Sequence, residues 1–182
     1  MEGVAFILIG GALFSQSWHV LGLYADGRTS GLFTVALAVA ALLIIRMEPM
    51  LFLSAAGSAQ EVLAMNTVLE TLVVVWAVYG IGVGAQSLWD FDERAIGFMG
   101  VIVTAVSVAA FFYYAFILDD DTVKLSMSAG TLILSAIGGL VFFYLAIPFM
   151  VLRLVTGWVM LAGSIGLVAI GIAVITTVVE LG

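Results

Sequence analysis

The sequence predicts an all-α integral membrane protein, a bundle of six transmembrane helices built from three two-helix hairpins. Hydrophobic residues make up 64% of the 182 residues and charged residues only 9%, whereas a soluble domain carries about a quarter charged residues. The mean hydropathy is +1.30. Since all loops between the apolar runs are short, residues 1–182 are expected to form a single transmembrane domain.

Charged residues and proline bound each of the six predicted spans. With about 20 residues needed for each crossing, the spans are roughly 3–24, 29–46, 62–87, 95–118, 125–147 and 152–178. The stretch Ser58-Ala59-Gln60-Glu61 has the pattern of a capping box, which predicts that helix three begins just before the membrane. The apolar segment Met50–Gly57 is too short to span, and is expected to lie in the interface or to begin a re-entrant turn.

The distribution of the five basic residues predicts the orientation. By the positive-inside rule, the side with three of them is cytoplasmic. Both termini would then lie outside the cytoplasmic (inner) membrane. The loops after helices one, three and five carry Arg28, Arg94 and Arg153, and are therefore expected on the cytoplasmic side. The loops on the opposite side carry Arg46 and Lys124.

Composition excludes several classes of function. The chain has no cysteine and one histidine, so neither a disulfide framework nor a histidine-based metal centre is expected. The net charge of −7 argues against nucleic acid as a partner. With no nucleotide-binding motif and no nucleophile–base pair in view, the protein is predicted to be neither an enzyme nor dependent on a cofactor or metal.

Two stripes of side chains with the same spacing occur in helices one and three. The spacing of 3, 4 and 3 positions places each set on one helix face. Helix–helix packing is the alternative explanation of each stripe alone. Two stripes that both end in a primary amide predict instead that the helices line a common path, with both glutamines at the same membrane face. Related by a shift of 70, the stripes are Phe6, Ile9, Leu13 and Gln16, and Trp76, Tyr79, Val83 and Gln86.

The chemistry of such a path favours a small neutral solute. A primary amide offers two donors and an acceptor, which suits a polar solute without charge. Bulky side chains along the stripes would make a narrow slot, and a narrow slot excludes hydrated ions.

A weaker third stripe in helix five predicts that the odd helices face inward and the even helices outward. Phe143 and Tyr144 add aromatic bulk beside it. Helices two and four show plain apolar faces, as expected of helices that contact lipid. The stripe of helix five consists of Leu132, Ser135, Gly139 and Phe142.

Two isolated polar residues have two interpretations each. Glu70 is a carboxylate well inside a predicted span, where an acid is costly and a candidate functional group. Its helical angle is roughly opposite Tyr79, so it is equally a candidate contact between subunits, with Asn66 one turn away as a hydrogen-bonding partner. His19 is a candidate gate that would act by protonation, or an ordinary hydrogen-bonding residue near the interface.

The order and spacing of three segments resemble the AmiS/UreI family of amide and urea channels, over nearly the whole length at low identity. They are Gly3…Gly10…Leu13-Phe14-Ser15-Gln16, Asp92-Glu93-Arg94…Phe98 and Leu118-Asp119-Asp120. The resemblance implies a homohexamer of six-helix protomers, each with its own pore, that passes urea or short aliphatic amides passively. By position it implies pore-lining roles for Phe6, Ile9, Leu13, Trp76, Gln16, Gln86, Phe142 and Phe143.

The chain also departs from the family pattern. The tryptophans that the urea channel carries along helix five are absent, and Leu161-Ala162-Gly163-Ser164 stands where helix six has a glutamate. The histidine-rich outer loops of the acid-gated member are missing. Acid gating is therefore not expected, and acetamide-like solutes are favoured over urea.

Three functions remain open on sequence grounds. The first is a passive channel for small neutral amides or urea. The second is a non-transporting membrane subunit or scaffold that binds a partner or lipid, in which Glu70 and the glycines form contacts. The third is a proton-coupled transporter that uses Glu70 or His19.

Overall fold

The computed structural model of the chain describes residues 2–23, 26–47, 59–118, 121–146 and 149–181. Within these ranges the fold is all-helical, and α4 continues into a π-helical turn at Tyr113–Ile117. Among the described residues, six helices are long and apolar enough to cross a membrane, which confirms the prediction of six such helices and supports a multi-pass membrane protein; the arrangement as three hairpin repeats stays a prediction. The helices are α1 (Glu2–Leu21), α2 (Gly27–Met47), α3 (Ala59–Trp89), α4 (Glu93–Phe112), α5 (Asp121–Ala146) and α6 (Met150–Leu181).

Local chemistry explains where α1 ends and α4 begins. Gly22 has a φ of 70°, and the amides of Gly22 and Leu23 donate to the His19 and Trp18 carbonyls. This left-handed residue ends α1 as glycine commonly ends helices. At α4, the Asp92 carboxylate accepts a hydrogen bond of 3.0 Å from the Arg94 amide, an N-terminal cap.

Helix α3 is longer than its membrane-spanning part. It begins at Ala59, whereas its apolar stretch begins at Ala64. The early start agrees with the capping pattern in the sequence. Ser58 itself and the segment Met50–Gly57 lie outside the described residues.

The six helices form a closed ring. Each helix packs against the next one in the chain, and α1 packs extensively against α6 to close the circle. Helices α1 and α3 also touch across the interior. Half of the residues in the apolar stretch of each of these two helices are buried, against 28%, 28%, 33% and 22% for α2, α4, α5 and α6. The interior is therefore built mainly from α1 and α3.

Two glycine pairs allow the helix backbones to approach closely. A Cβ atom on Gly3 would lie 2.5 Å from the Gly171 carbonyl oxygen, and one on Gly171 would lie equally close to the Gly3 oxygen. Gly31 and Gly84 have the same reciprocal relationship, at 2.8 and 2.6 Å. Only glycine fits such contacts, which are typical of helices packed in membranes. They close the α1–α6 and α2–α3 interfaces.

The ring has an apolar outside as well as an apolar core. Phe98, Phe116 and Met150 are among the large hydrophobic side chains that lie exposed on the outside. Val39 and Val101, on the faces of helices two and four that the sequence assigns to lipid, are exposed too. An exposed apolar surface around a whole bundle is what a lipid environment requires.

Candidate functional site

A hydrogen bond between two buried side chains connects α1 and α3 in the interior of the ring. The Gln16 side-chain nitrogen Nε2 donates to the Tyr79 hydroxyl over 3.0 Å. Gln16 is 5% exposed and Tyr79 2% exposed. An amide and a phenol are costly to bury without a hydrogen-bonding partner. Here the amide uses one of its donors and the phenol uses its oxygen as the acceptor.

The Trp76 indole extends the polar group toward α4. Its ring meets that of Tyr79 edge to face, with 5.5 Å between the centroids. Its Nε1 donates to the Ser107 hydroxyl at 2.9 Å, and Ser107 in turn donates to the Val103 carbonyl at 2.8 Å. Trp76 is therefore fixed on both sides, which holds the Tyr79 ring in place.

A third odd helix contributes a second phenol. Tyr144 of α5 is half-buried and interacts electrostatically with Tyr79. The helices α1, α3 and α5 thus each contribute one polar side chain to this part of the ring: Gln16, Tyr79 and Tyr144. We call these three side chains, with Trp76, the polar cluster.

A small cavity adjoins the polar cluster. It has a volume of about 10 Å³, which is room for about one water molecule. Its walls are apolar except for the Gln16 amide, the Tyr79 phenol and the Thr34 hydroxyl. The Thr34 hydroxyl donates to the Ser30 carbonyl within α2. The lining residues come from α1, α2 and α3, and are Ile9, Ala12, Leu13, Gln16, Thr34, Ala38, Trp76, Ala77, Tyr79 and Gly80.

The stripes that the sequence predicts on α1 and α3 face the interior. Seven of their eight members are buried, with exposures from 1% to 7%; Gln86 is half-buried. The buried members are Phe6, Ile9, Leu13 and Gln16 on α1, and Trp76, Tyr79 and Val83 on α3.

Gln86 is half-buried near the end of α3. The hydrogen bond from Gln16 to Tyr79 joins two long side chains, so it does not fix the axial register of α1 and α3. That Gln16 and Gln86 form a matched pair at one membrane face therefore stays a prediction.

The inward face of α5 differs from the predicted stripe. Leu132 is 53% exposed and Phe143 47% exposed, so both side chains point away from the interior. Phe142 is half-buried, with its ring 6.4 Å from that of Phe98 on α4. The buried positions of α5 are Met127, Gly130, Thr131, Leu134, Ile137, Gly138 and Val141.

The two candidate titratable residues of the sequence lie outside the polar cluster. His19 is half-buried, and its ring lies against the backbone of Gly27, where a Cβ atom would be 2.8 Å from the ring. Glu70 is half-buried on α3. Among the residues that the structure describes, no group of three or more His, Asp or Glu side chains is placed to hold a metal ion.

Several polar residues of the interior were not singled out as site residues from the sequence, among them Thr34, Tyr144, Ser107 and Glu2. Tyr144 was recognised only as aromatic bulk. Ser107 sits in an apolar helix, and nothing in its neighbours predicts that it faces an indole. Glu2, at 4% exposed, is a buried carboxylate at the start of α1, and its spacing of four positions from Phe6 was the signal that could have revealed it.

Comparison of the chain with protein-family models, with curated proteins and with solved structures finds no match in any of the three. The assignment of function therefore depends on the residues of the interior. Their arrangement combines donors and acceptors for a neutral polar group with apolar walls on either side, inside a ring of membrane-spanning helices.

Proposed function

We propose that the chain is a passive channel for small neutral amides or urea, with acetamide-like solutes favoured. The solute crosses the cytoplasmic membrane along the interior of the six-helix ring. The observation that carries the proposal is the buried Gln16–Tyr79 hydrogen bond beside a cavity, in the middle of the inward stripe pair. Assembly as a homohexamer and an outer location of both termini belong to the proposal through the family resemblance and the charge distribution.

The hydrogen bond itself supports recognition of an amide. The Tyr79 hydroxyl accepts from the Gln16 Nε2 group at the point where the carbonyl oxygen of a solute would accept. A solute amide can replace Tyr79 as the acceptor, and its own N–H can donate to the Gln16 oxygen or to a phenol. When a solute amide takes the place of Tyr79 in this way, no buried donor is left without a partner. The free-energy barrier to the passage of an amide therefore stays low.

The apolar walls support the exclusion of ions. Above and below the polar cluster, the interior is lined by Leu13, Ile9 and Val83. An ion would lose its water there without compensating ligands, whereas a neutral amide loses much less. The cavity of about 10 Å³ is smaller than acetamide, so passage requires the Tyr79 or Leu13 side chain to change rotamer.

Osmotic swelling of proteoliposomes tests the proposal. Liposomes with the purified protein are mixed with urea, acetamide or formamide, and light scattering follows the entry of each solute. We expect rates above those of protein-free liposomes, with acetamide and formamide entering faster than urea. Rates equal to those of protein-free liposomes for all three solutes would overturn the proposal.

A pH gradient separates a channel from a coupled transporter. Passive flux depends only on the solute gradient, so an imposed proton gradient should leave the swelling rate unchanged. Accumulation of solute against its gradient when the outside is acidic would instead support proton coupling.

A further inference from the structure

Ser107 carries a fully buried hydroxyl in the apolar helix α4, with 0% of the residue exposed. Its hydroxyl donates to the Val103 carbonyl within the same helix at 2.8 Å, the usual way in which a serine in a helix satisfies itself. A hydroxyl has only one hydrogen to donate. Because that hydrogen is used inside α4, Ser107 can act toward a neighbouring helix only as an acceptor.

The acceptor is taken by the Trp76 indole of α3. The Nε1 atom donates to the Ser107 hydroxyl oxygen at 2.9 Å, across the interface of α3 and α4. An indole has this one donor and no acceptor, and Trp76 is only 3% exposed. The bond to Ser107 therefore fixes the direction in which the ring edge with Nε1 points.

The tethered ring forms part of the wall of the small cavity. Trp76 and Tyr79 line the cavity from α3, together with Ala77 and Gly80. Alanine and glycine have no side-chain rotamers to exchange. On the α3 side, the cavity can therefore widen only when Trp76 or Tyr79 changes rotamer, and the two rings are in edge-to-face contact at 5.5 Å.

The two aromatic rings differ in what holds them. Tyr79 is held by Gln16, which itself lines the cavity, so a solute amide can take over that hydrogen bond. Trp76 is held by Ser107, which lies behind the ring on α4 and does not line the cavity. A solute in the cavity therefore has access to the bond that holds Tyr79, but not to the bond that holds Trp76.

We propose that Ser107 is a positioning residue that limits the width of the path by holding Trp76 in place. This inference rests on the proposed channel function. A narrow amide passes when Tyr79 moves aside. A branched amide also needs Trp76 to move, which breaks the bond to Ser107 and leaves a buried N–H group without its acceptor. That cost raises the barrier for the wide solute alone.

Two primary amides of different width test the role of Ser107. Isobutyramide is acetamide with two methyl groups added to the same carbon, so it keeps the amide and is wider behind it. In the proteoliposome assay, the rate of each solute is measured in excess of protein-free liposomes, and the wild type should favour acetamide. In Ser107→Ala the indole has no bond to lose on moving, so the ratio of isobutyramide to acetamide rates should rise about tenfold, the effect of one hydrogen bond.

Ser164→Ala is the matched control for the loss of a buried hydroxyl. Ser164 is also a serine with 0% exposure, and its hydroxyl donates within its own helix, to the Leu161 carbonyl at 2.8 Å. It accepts from no side chain among the described residues and does not line the cavity. Ser164→Ala should therefore keep the wild-type ratio of the two rates, even where it lowers the Tm.

A second variant keeps the inference testable if Ser107→Ala does not yield a stable protein. Ser107→Cys preserves the shape of the side chain, but sulfur is a weak acceptor. The ratio of isobutyramide to acetamide rates should rise in the same direction, by less than in Ser107→Ala. The chain has no other cysteine, so no disulfide can form within it.

The outcomes separate this inference from the function on which it rests. Excess acetamide flux in the wild type, with a ratio that rises in the Ser107 variants and not in Ser164→Ala, supports the positioning role. A wild-type ratio in the Ser107 variants, or an equal rise in Ser164→Ala, would overturn that role and leave the channel intact. No excess flux of acetamide, formamide or urea in the wild type would overturn both.

Discussion

Gln16 and Tyr79 are joined by a 3.0 Å hydrogen bond across the interface of α1 and α3, the two most buried helices of the ring. Both side chains are buried in the apolar interior, beside a cavity with room for about one water molecule. The bond links the two helices through their side chains. Gln16 is the one primary amide that is buried among the residues whose exposure the structure describes.

Removal of the Tyr79 hydroxyl should destabilise the protein. Tyr79→Phe leaves the Gln16 Nε2 group buried without its acceptor, at an expected cost of about 1–3 kcal/mol in the free energy of unfolding. Thermal unfolding in detergent measures the loss as a lower Tm. The double variant Gln16→Leu with Tyr79→Phe should recover much of the stability, because both polar groups are then absent. A double variant less stable than Tyr79→Phe would contradict the pairing.

The two glutamines should differ in their effect on flux. Gln16→Leu removes the buried amide at the cavity, and acetamide swelling should slow by about tenfold, the effect of a lost hydrogen bond of about 1.4 kcal/mol. Gln86→Leu is the matched control, because Gln86 is only half-buried and does not line the cavity, and it should change the rate less. A larger effect at Gln86 would place the narrow part of the path at the end of α3 instead.

The stripes of α1 and α3 could be predicted because their spacing leaves little choice of face. In both helices, large apolar side chains recur at spacings of 3 and 4 positions, and the stripe ends in a glutamine. The glutamine distinguishes this face from the other apolar faces of the same helix. The hydrogen bond between Gln16 and Tyr79 could not be predicted in the same way. Spacing along one helix identifies a face but does not say which side chain of the neighbouring helix a residue on that face will meet.

The failure at α5 has a physical cause that is general for membrane helices. Lipid is as apolar as the core, so Leu132 and Phe143 are as well accommodated outside as inside. Hydrophobic spacing then does not distinguish the two faces. The burial of Glu2 has a different origin: α6 packs against the start of α1, where Gly3 meets Gly171, and that contact depends on a helix at the other end of the sequence.

His19 should have no effect on the pH dependence of flux. Its ring lies against Gly27 at the start of α2, at the edge of the α1–α2 hairpin rather than in the polar cluster. His19→Gln should therefore show the same ratio of acetamide swelling rates at pH 5.5 and 7.5 as the wild type, a range of about two units that spans the usual titration of histidine. A wild-type pH dependence that disappears in His19→Gln would restore the gating hypothesis.

Closure of the ring between α1 and α6 should depend on Gly171. A methyl group there would lie 2.5 Å from the Gly3 carbonyl oxygen, and a backbone atom cannot move aside as a side chain can. Gly171→Ala should therefore lower the free energy of unfolding by about 1–3 kcal/mol, as overpacking does. Gly82→Ala is the matched control, since a Cβ atom at Gly82 meets no described atom within 4 Å; it should be neutral or stabilise by up to about 1 kcal/mol through helix propensity.

Because α6 holds the inward stripe of α1 against the interior, acetamide swelling should also slow in Gly171→Ala and remain unchanged in Gly82→Ala. Equal stability and equal flux in the two variants would show that the α1–α6 contact is not needed to close the ring.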